Sequence, residues 1–239
     1  MIEHSCPLCA SNNTVFFHND KKRDYWQCTQ CLLIFVLPQH HLTPSDEKSI
    51  YDLHINDPSD LGYRKFLQRF VTPLEQHILK LETRILAANT KQSTNLKGLD
   101  FGSGPGPTLS GMLETLQSVQ QLNIHCENYD LYYAPHTNLL VNEGYDFVTS
   151  TEVVEHLREP LKTFELMFSL LKPDSCLGIM TKRTKENTPK DSFASWHYIQ
   201  DPTHICFYNE KTFYWLAHYF DVQVSFPETD VAIFEKSSY

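Results

Sequence analysis

Short apolar runs alternate along the chain with helically spaced apolar stripes, the pattern of a sheet whose strands are joined by helices. Gly62 to Ala88 carries Phe66, Phe70, Leu74, Ile78, Leu81 and Ile85 at helical spacing, with Pro73 placed to kink or break the helix near Thr72. A polar loop, Asn89 to Asn95, leads to an apolar strand from Leu96 to Asp100. That strand breaks into the alternating glycines Gly102, Gly104 and Gly106 and then into a helical pattern from Thr108 to Leu116. A second strand runs from Ile124 to Asp130, and a third begins at Tyr145 and runs into a helix by Glu152. A helix closes at Leu170–Leu171, the chain turns, and a fourth strand covers Leu177 to Thr181. Asn209 reads as the N-cap of a helix through His218. Phe220–Phe226 and Val231–Glu235 then pair about Pro227–Asp230.

The stretch Asp100-Phe101-Gly102-Ser103-Gly104-Pro105-Gly106 is strand, tight turn and helix start. Its glycines admit positive φ and let a ligand approach main-chain N–H groups with no Cβ between. About thirty residues on, Asp130 closes a second strand, where a carboxylate accepts both ribose hydroxyls of a nucleoside ligand. Over roughly residues 60 to 239 this succession resembles the class I S-adenosylmethionine-dependent methyltransferases. The resemblance implies an α/β fold, a Rossmann-like seven-stranded sheet with helices on both faces. It also implies that Asp100, Gly102 and Gly104 line the methionine end of the cofactor and that Asp130 holds the ribose. Phe101, Ser103, Thr151 and Glu152 complete the expected cofactor-binding set. One departure stands out: only fifteen residues separate Asp130 from Asp146, so the helix and strand that usually lie between them are shortened or absent, along with their adenine contact.

Upstream, Cys6-Pro7-Leu8-Cys9 and Cys28-Thr29-Gln30-Cys31 are two Cys-x-x-Cys pairs eighteen residues apart. This is the spacing of a four-cysteine zinc ribbon, with Tyr25–Cys28 a strand feeding the second knuckle. So small a unit cannot bury enough apolar surface to fold alone, and four thiolates leave no open coordination position, so the expected role of zinc is structural. The chain divides into a ribbon over residues 1–40, a linker and N-terminal helices over 41–95 that cover the cofactor, and a methyltransferase domain over 96–239. Residues 36–60, rich in Pro, His, Asp and Ser, form the linker, and Tyr51, Tyr63 and Arg64 are either cleft residues or ordinary surface.

Glu152, Glu155 and His156 stand at i, i+3 and i+4, so a helix beginning near Glu152 presents all three from one face of its first turn. Such a set holds a divalent metal; alternatively Thr149 and Glu152 form a capping box. With His204, nine residues before Phe213, Glu-Val-Val-Glu-His resembles the metal-binding pattern of the small-RNA 3′-end 2′-O-methyltransferases, and the Glu-x-x-Glu-His alone is similar to a stretch of the ubiquinone-biosynthesis O-methyltransferases, also linked to divalent metal. The resemblance implies Glu152, Glu155, His156 and His204 as ligands of Mg2+ or another divalent cation. His204, His197 and Glu155 are the candidate catalytic groups, base or ligand, in a segment dense in aromatics that either folds over the cofactor or is packing. Phe101, Tyr132, Tyr133 and Trp196 are either acceptor-pocket walls or core.

Composition changes this picture in one respect. A net charge of −9 across 239 residues argues against a polyanionic partner, whose affinity comes from cationic side chains. The absence of a long apolar run or a leader pattern, and cysteines arranged for metal, suit a cytoplasmic protein with no membrane partner. The expectation is therefore methyl transfer from S-adenosylmethionine to a small-molecule acceptor, at oxygen. Two alternatives stay open: an RNA 2′-O- or base methyltransferase using the ribbon and the Lys182–Lys190 loop on RNA, and a non-catalytic ribbon adaptor whose main domain senses the cofactor.

Overall fold

Ten strands fall into two sheets in the computed structural model, which describes residues 4–53, 55–88, 95–116, 123–185 and 188–237. In chain order the elements are β1 (Thr14–Asn19), β2 (Asp24–Cys28), β3 (Ile34–Val36), α1 (Pro44–Tyr51), α2 (Leu61–Ala88), β4 (Asn95–Phe101), α3 (Thr108–Glu114), β5 (Asn123–Tyr129) and β6 (Tyr145–Thr151). There follow α4 (Pro160–Leu170), β7 (Leu171–Met180), α5 (Lys190–Ala194), β8 (Cys206–Phe207), α6 (Glu210–Tyr219), β9 (Gln223–Glu228) and β10 (Val231–Lys236). The larger sheet has the order β5-β4-β6-β7-β10-β9, with β5, β4, β6 and β7 parallel and the β9–β10 hairpin joined to β7 through an antiparallel β10.

This sheet has six strands among the described residues, not seven. The missing one is the edge strand beyond β5, and residues 131–144 hold a single 3-10 turn, Thr137–Leu139, in its place. A crossover with its helix needs at least about 10–12 residues, so the fifteen between Asp130 and Asp146 cannot supply a helix, a strand and a return to β6. The short span is instead tied back by Tyr145, whose hydroxyl lies 2.7 Å from Glu127 Oε2 and 2.6 Å from the Leu139 carbonyl.

Each face of the sheet has its own core. On one side α2 and α3 pack Phe70, Leu74, Ile78 and Leu113 over Ile124, Phe147, Met180 and Ile233. The helix runs unbroken through Pro73, contrary to the expected kink or break. A proline in a helix interior costs about 3 kcal/mol. Fully burying each of Phe70, Leu74 and Ile78 stabilises by roughly 1.5–3 kcal/mol, so tertiary packing wins. On the other side Phe164, Met167, Phe213 and Leu216 cover Val148, Leu177, Ile179 and Phe234, and this core continues without a break into Leu8, Tyr25, Ile34 and Phe35 of the N-terminal unit.

That continuity has a backbone counterpart. The smaller sheet, β1-β2-β3-β8, takes its fourth strand from residues 206–207, far beyond the N-terminal unit, with Ile34 opposite Phe207 and Phe35 opposite Cys206. Residues 36–60, expected to be a linker, hold the end of β3, a 3-10 turn at Pro38–His40 and α1. No residue of α1 is buried, and its helix is held by polar contacts: Thr43 caps Asp46 N–H, and Glu47 meets Arg158 at 3.0 Å. Among the described residues no helix is long and apolar enough to cross a membrane.

At Gly98, in the middle of β4, an added Cβ would stand 2.1 Å from the ring of the fully buried Phe147. Overpacking of this kind costs about 1–3 kcal/mol, so Gly98→Ala is expected to lower the unfolding free energy by that amount with an unchanged m-value, measured by equilibrium unfolding in urea.

Candidate active site

The parallel strands end together on one edge, and a cleft of about 1210 Å³ opens there. Leaving β4 the chain turns through Gly102 (φ 81°) and Gly104 (φ 67°), and leaving β6 it turns at Glu152, which takes φ 52° without being a glycine. A non-glycine residue held in this region costs of order 1 kcal/mol or more, and the main chain compensates with a hydrogen bond from Glu152 N–H to the Met180 carbonyl (2.8 Å). Phe101, Gly102, Gly104, Asp130, Thr151 and Glu152, six of the eight residues expected to bind the cofactor, line the cleft.

The other two do not. Asp100 is 1% exposed, lies inside the sheet and accepts a hydrogen bond from Thr149 Oγ1 (3.0 Å). Burial, with Asp130 nearby, pushes its carboxyl up to about 7. Thr149 itself lies within β6, so it caps no helix. Ser103 is also buried beneath the turn.

The glycine loop differs from its expected design. Three of its N–H groups are already taken: those of Gly102 and Ser103 donate to the Tyr129 carbonyl (2.7 and 3.1 Å), and that of Gly104 to Asp130 Oδ2 (3.0 Å). What crowds the loop is this chain's own Asn56. A Cβ on Gly104 would stand 2.6 Å from Asn56 Nδ2, and one on Gly106 would stand 2.0 Å from the Asn56 carbonyl oxygen. Asn56 lies in a stretch with no periodicity, and no sequence signal marks it. Asp130 organises both sides of the turn, since its Oδ1 accepts the N–H groups of Tyr132 and Tyr133 (2.8 and 3.0 Å).

A second group of side chains gathers beside the cleft. No helix begins at Glu152; a 3-10 turn covers Val154–His156 and α4 starts only at Pro160. The positive φ of Glu152 takes it out of line with Glu155 and His156, which follow the turn. Glu155, His156 and His204 bring ligand-capable atoms within 4.8 Å of one another, and Glu152 is not part of that cluster, which corrects the four-residue set. His204 Nδ1 is 2.7 Å from the Tyr198 carbonyl and His156 Nδ1 is 3.1 Å from that of Thr203. A carbonyl only accepts, so both rings carry the Nδ1 proton and, when neutral, keep the lone pair on Nε2. Burial also lowers the His204 pKa, favouring the neutral ring.

Glu155 is fully buried, and burial raises its pKa. Its Oε1 accepts a hydrogen bond from Tyr198, while Oε2 has no hydrogen-bond partner among the described residues. Glu152 lies partly in the cleft; burial and the nearby Glu155 push it up to about 9, and its Oε1 likewise has no hydrogen-bond partner among them. His197 is exposed at the rim, with Nε2 2.8 Å from Lys182 Nζ. Tyr51, Tyr63, Tyr132 and Tyr133 line the cleft, whereas Arg64 and Trp196 do not. Tyr198, whose hydroxyl reaches Glu155 and whose carbonyl orients His204, was legible only as an aromatic of the segment.

Outside the cleft lining, Cys6, Cys9, Cys28 and Cys31 form a cluster capable of binding a metal. Cys6 and Cys31 sulfurs lie 3.6 Å apart and those of Cys9 and Cys28 lie 3.4 Å apart, with no disulfide among the seven cysteines.

Comparison with known proteins adds a family. The profile described as "Methyltransferase domain" matches residues 63–224, more than half of the chain. No curated protein matches. Among solved structures, the CurJ carbon methyltransferase is 15% identical with a TM-score of 0.43, covering 62% of this chain and 50% of its own. A SAM-dependent methyltransferase from Thermotoga maritima is 12% identical with a TM-score of 0.40, covering 72% and 98%. The YcgJ protein from Bacillus subtilis is 15% identical with a TM-score of 0.41, covering 61% and 68%. This chain thus spans half the length of the CurJ structure, and the family match, not these likenesses, carries the assignment.

The Asp100 carboxyl yields a pH test. Its folded value, about 7, lies above the ordinary 3.8, so the native state keeps a proton that the unfolded chain releases, and stability falls as pH rises through that window. Asp100→Asn removes the effect. The variant is expected to gain on the wild type by about 1.4 kcal/mol per pH unit between the two values, read from urea unfolding at a series of pH; a difference flat in pH would show that Asp100 ionises normally.

Proposed function

The chain belongs to the methyltransferase-domain family, and from that premise we propose that it moves a methyl group from S-adenosylmethionine to a hydroxyl oxygen of a small molecule bound in the cleft. The observation that carries the reading is the convergence, on one sheet edge, of the Gly102–Asp130 turn and the Glu155–His156–His204 cluster. Single-ligand pockets measure roughly 300–1,000 Å³, and this one, at about 1210 Å³, has space for a nucleoside and a second molecule.

S-adenosylmethionine supplies an already activated methyl group on its sulfonium. Phe101, Gly102, Gly104, Thr151 and Glu152 would wall its site, and Asp130 would hold the ribose with the lone pair of Oδ2 that Gly104 leaves open. Asp100 and Ser103 would act from beneath, shaping the turn without touching the ligand. The chain's remaining task is to align the acceptor and remove its proton; alignment alone is worth roughly 7–11 kcal/mol. Nε2 of His204, with its tautomer held by the Tyr198 carbonyl, would accept the hydroxyl proton, and the Glu155 carboxyl would stabilise the imidazolium formed. His197 would serve at the rim with Lys182, positioning the acceptor.

The cluster also fits a divalent cation. Both imidazoles present Nε2, the Nδ1 protons rest on carbonyls as outer-shell partners do in metal sites, and Glu155 Oε2 is an orphaned buried oxygen. Two imidazoles and one carboxylate suit Mn, Fe or Zn better than Mg2+. When bound, such a cation supplies Lewis acidity that lowers the pKa of the acceptor hydroxyl. In the N-terminal unit the four sulfurs would hold Zn2+ with no open position, hence structurally; a tetrahedron of about 2.3 Å Zn–S bonds has edges near the sulfur separations seen here.

One observation weighs against RNA as acceptor. Arg183, a candidate phosphate contact, is committed internally, donating to the carbonyls of Val231 (2.7 Å) and Glu228 (2.8 Å). The adaptor reading is disfavoured by the burial of Leu8, Tyr25 and Phe35, which a docking face would need to expose.

With ribbon zinc kept in place, S-adenosylhomocysteine at about 100 times its dissociation constant should stabilise by roughly 2.7 kcal/mol, a rise in melting temperature on the order of 5–11 °C. Asp130→Ala should abolish the rise. Methyl-labelled cofactor incubated with separate small-molecule and RNA fractions then reads the acceptor class, and label in RNA alone would overturn the small-molecule assignment.

A further inference from the structure

Arg23 sits in the turn between β1 and β2, yet its guanidinium ends among the backbone of a segment some 180 residues away. Nη1 donates to the carbonyls of Asp201 (3.2 Å), Pro202 (3.2 Å) and His204 (3.0 Å), and Nη2 donates to that of Ile199. The side chain is 8% exposed, and Asp20 holds it from the other side at 3.6 Å. These carbonyls lie in and just beyond the 3-10 turn His197–Gln200, where a helical turn leaves its last oxygens short of local N–H partners; that of Asp201 also receives His204 N–H, at 3.3 Å. A buried unsatisfied carbonyl costs about 1–3 kcal/mol, and a planar guanidinium is the one side chain whose rigid fork of donors serves several at once.

The same segment is gripped a second time. Val36 N–H donates to the Ile205 carbonyl (2.9 Å), the β3–β8 pairing follows, and Asn209 Nδ2 reaches the carbonyl of Leu32 (3.0 Å), the residue after Cys31. In turn Ile205 N–H donates to the Glu155 carbonyl (2.8 Å), and the rings of Tyr198 and His204 meet with centroids 4.0 Å apart. An unbroken chain of contacts therefore runs from the four-cysteine unit to the site.

We propose that Arg23 is a positioning residue: by gathering the 199–204 carbonyls it holds Tyr198 and His204 against Glu155, and the four-cysteine unit braces this segment from outside the cleft rather than serving as a module for capturing a partner. The identity of the site rests on the function proposed above; the clamp itself does not.

The test uses the full-length, zinc-loaded chain with Arg23→Lys, which keeps the charge and loses the fork, and Arg23→Gln, which loses both. Hydrogen exchange of 197–206 is expected to quicken by about tenfold or more in Arg23→Lys, with exchange of β4 and α3 within about twofold of wild type. Binding of S-adenosylhomocysteine should stay within about twofold, while Mn2+ binding, followed by its EPR signal, should weaken by about tenfold or more. Should Arg23→Gln fail to fold, Arg23→Lys decides alone. Should the wild type bind no Mn2+, the cation reading fails by itself and hydrogen exchange still decides the clamp. Unchanged exchange in 197–206 of folded Arg23→Lys, or a loss of protection spread evenly over the chain, would overturn the proposal.

Discussion

A carboxyl group shut off from water stands at the joint between the two sheets. Glu155 is fully buried, and an unpaired carboxylate in that position costs several kcal/mol, so the chain has to surround it with compensating groups. Tyr198 donates to one oxygen, a ligand-capable atom of His204 lies within 4.8 Å, and the main-chain carbonyl of Glu155 receives Ile205 N–H. These partners belong to the 197–205 segment, with Thr181 beyond β7 also bearing on the carboxyl, so lifting the segment would strip Glu155 of its tyrosine and histidine neighbours, and the segment's place is fixed by what lies outside it. The demand of one residue just beyond β6 thereby links the large sheet, the aromatic segment and the four-cysteine unit.

That linkage explains why the N-terminal unit is so thin on its own side. A three-stranded piece of about forty residues cannot bury enough surface to be stable alone. Here it borrows β8 for its sheet and Phe193 and Phe207 for its core, with Tyr25 meeting both rings at 5.2 and 5.8 Å. The four-cysteine cluster, capable of binding a metal, is its own contribution, and the shared aromatic core ties it to the rest of the chain.

The glycine loop shows a similar double use. Positive φ at Gly102 and Gly104 turns the chain at the sheet edge, as a nucleoside site requires, but the space of the missing Cβ atoms at Gly104 and Gly106 is filled by Asn56 of the segment between α1 and α2. The loop is glycine-rich for the sake of the chain above it as much as for a ligand. Thr108 Oγ1 donates to the Asn56 carbonyl (3.0 Å) and pins the crossing.

Features governed by near neighbours along the chain were legible in the amino-acid sequence. The Cys-x-x-Cys pairs, the strand–glycine–helix unit at Asp100–Thr108, the Asn209 cap and the final hairpin follow from local chemistry. The shortened span after Asp130 followed from chain length, whereas the seven-stranded sheet expected from the resemblance did not allow for the strand that the short span removes. Legibility ended where a distant contact overrode a local preference: Pro73 inside α2, where packing outweighs a broken hydrogen bond, and Glu152, whose positive φ replaces the helix that the i, i+3, i+4 spacing suggested. The cluster of Glu155, His156 and His204 was half visible, because residue types can be read in order while their distances cannot. Asn56 over the glycines, Tyr198 beside His204 and the fourth strand of the small sheet carry no local signature, since their places are chosen by burial and by unsatisfied carbonyls, for the most part those of distant residues. Local propensity settled the elements and the donor atoms; which of them meet was settled only when the folded chain had to cover its buried polar groups.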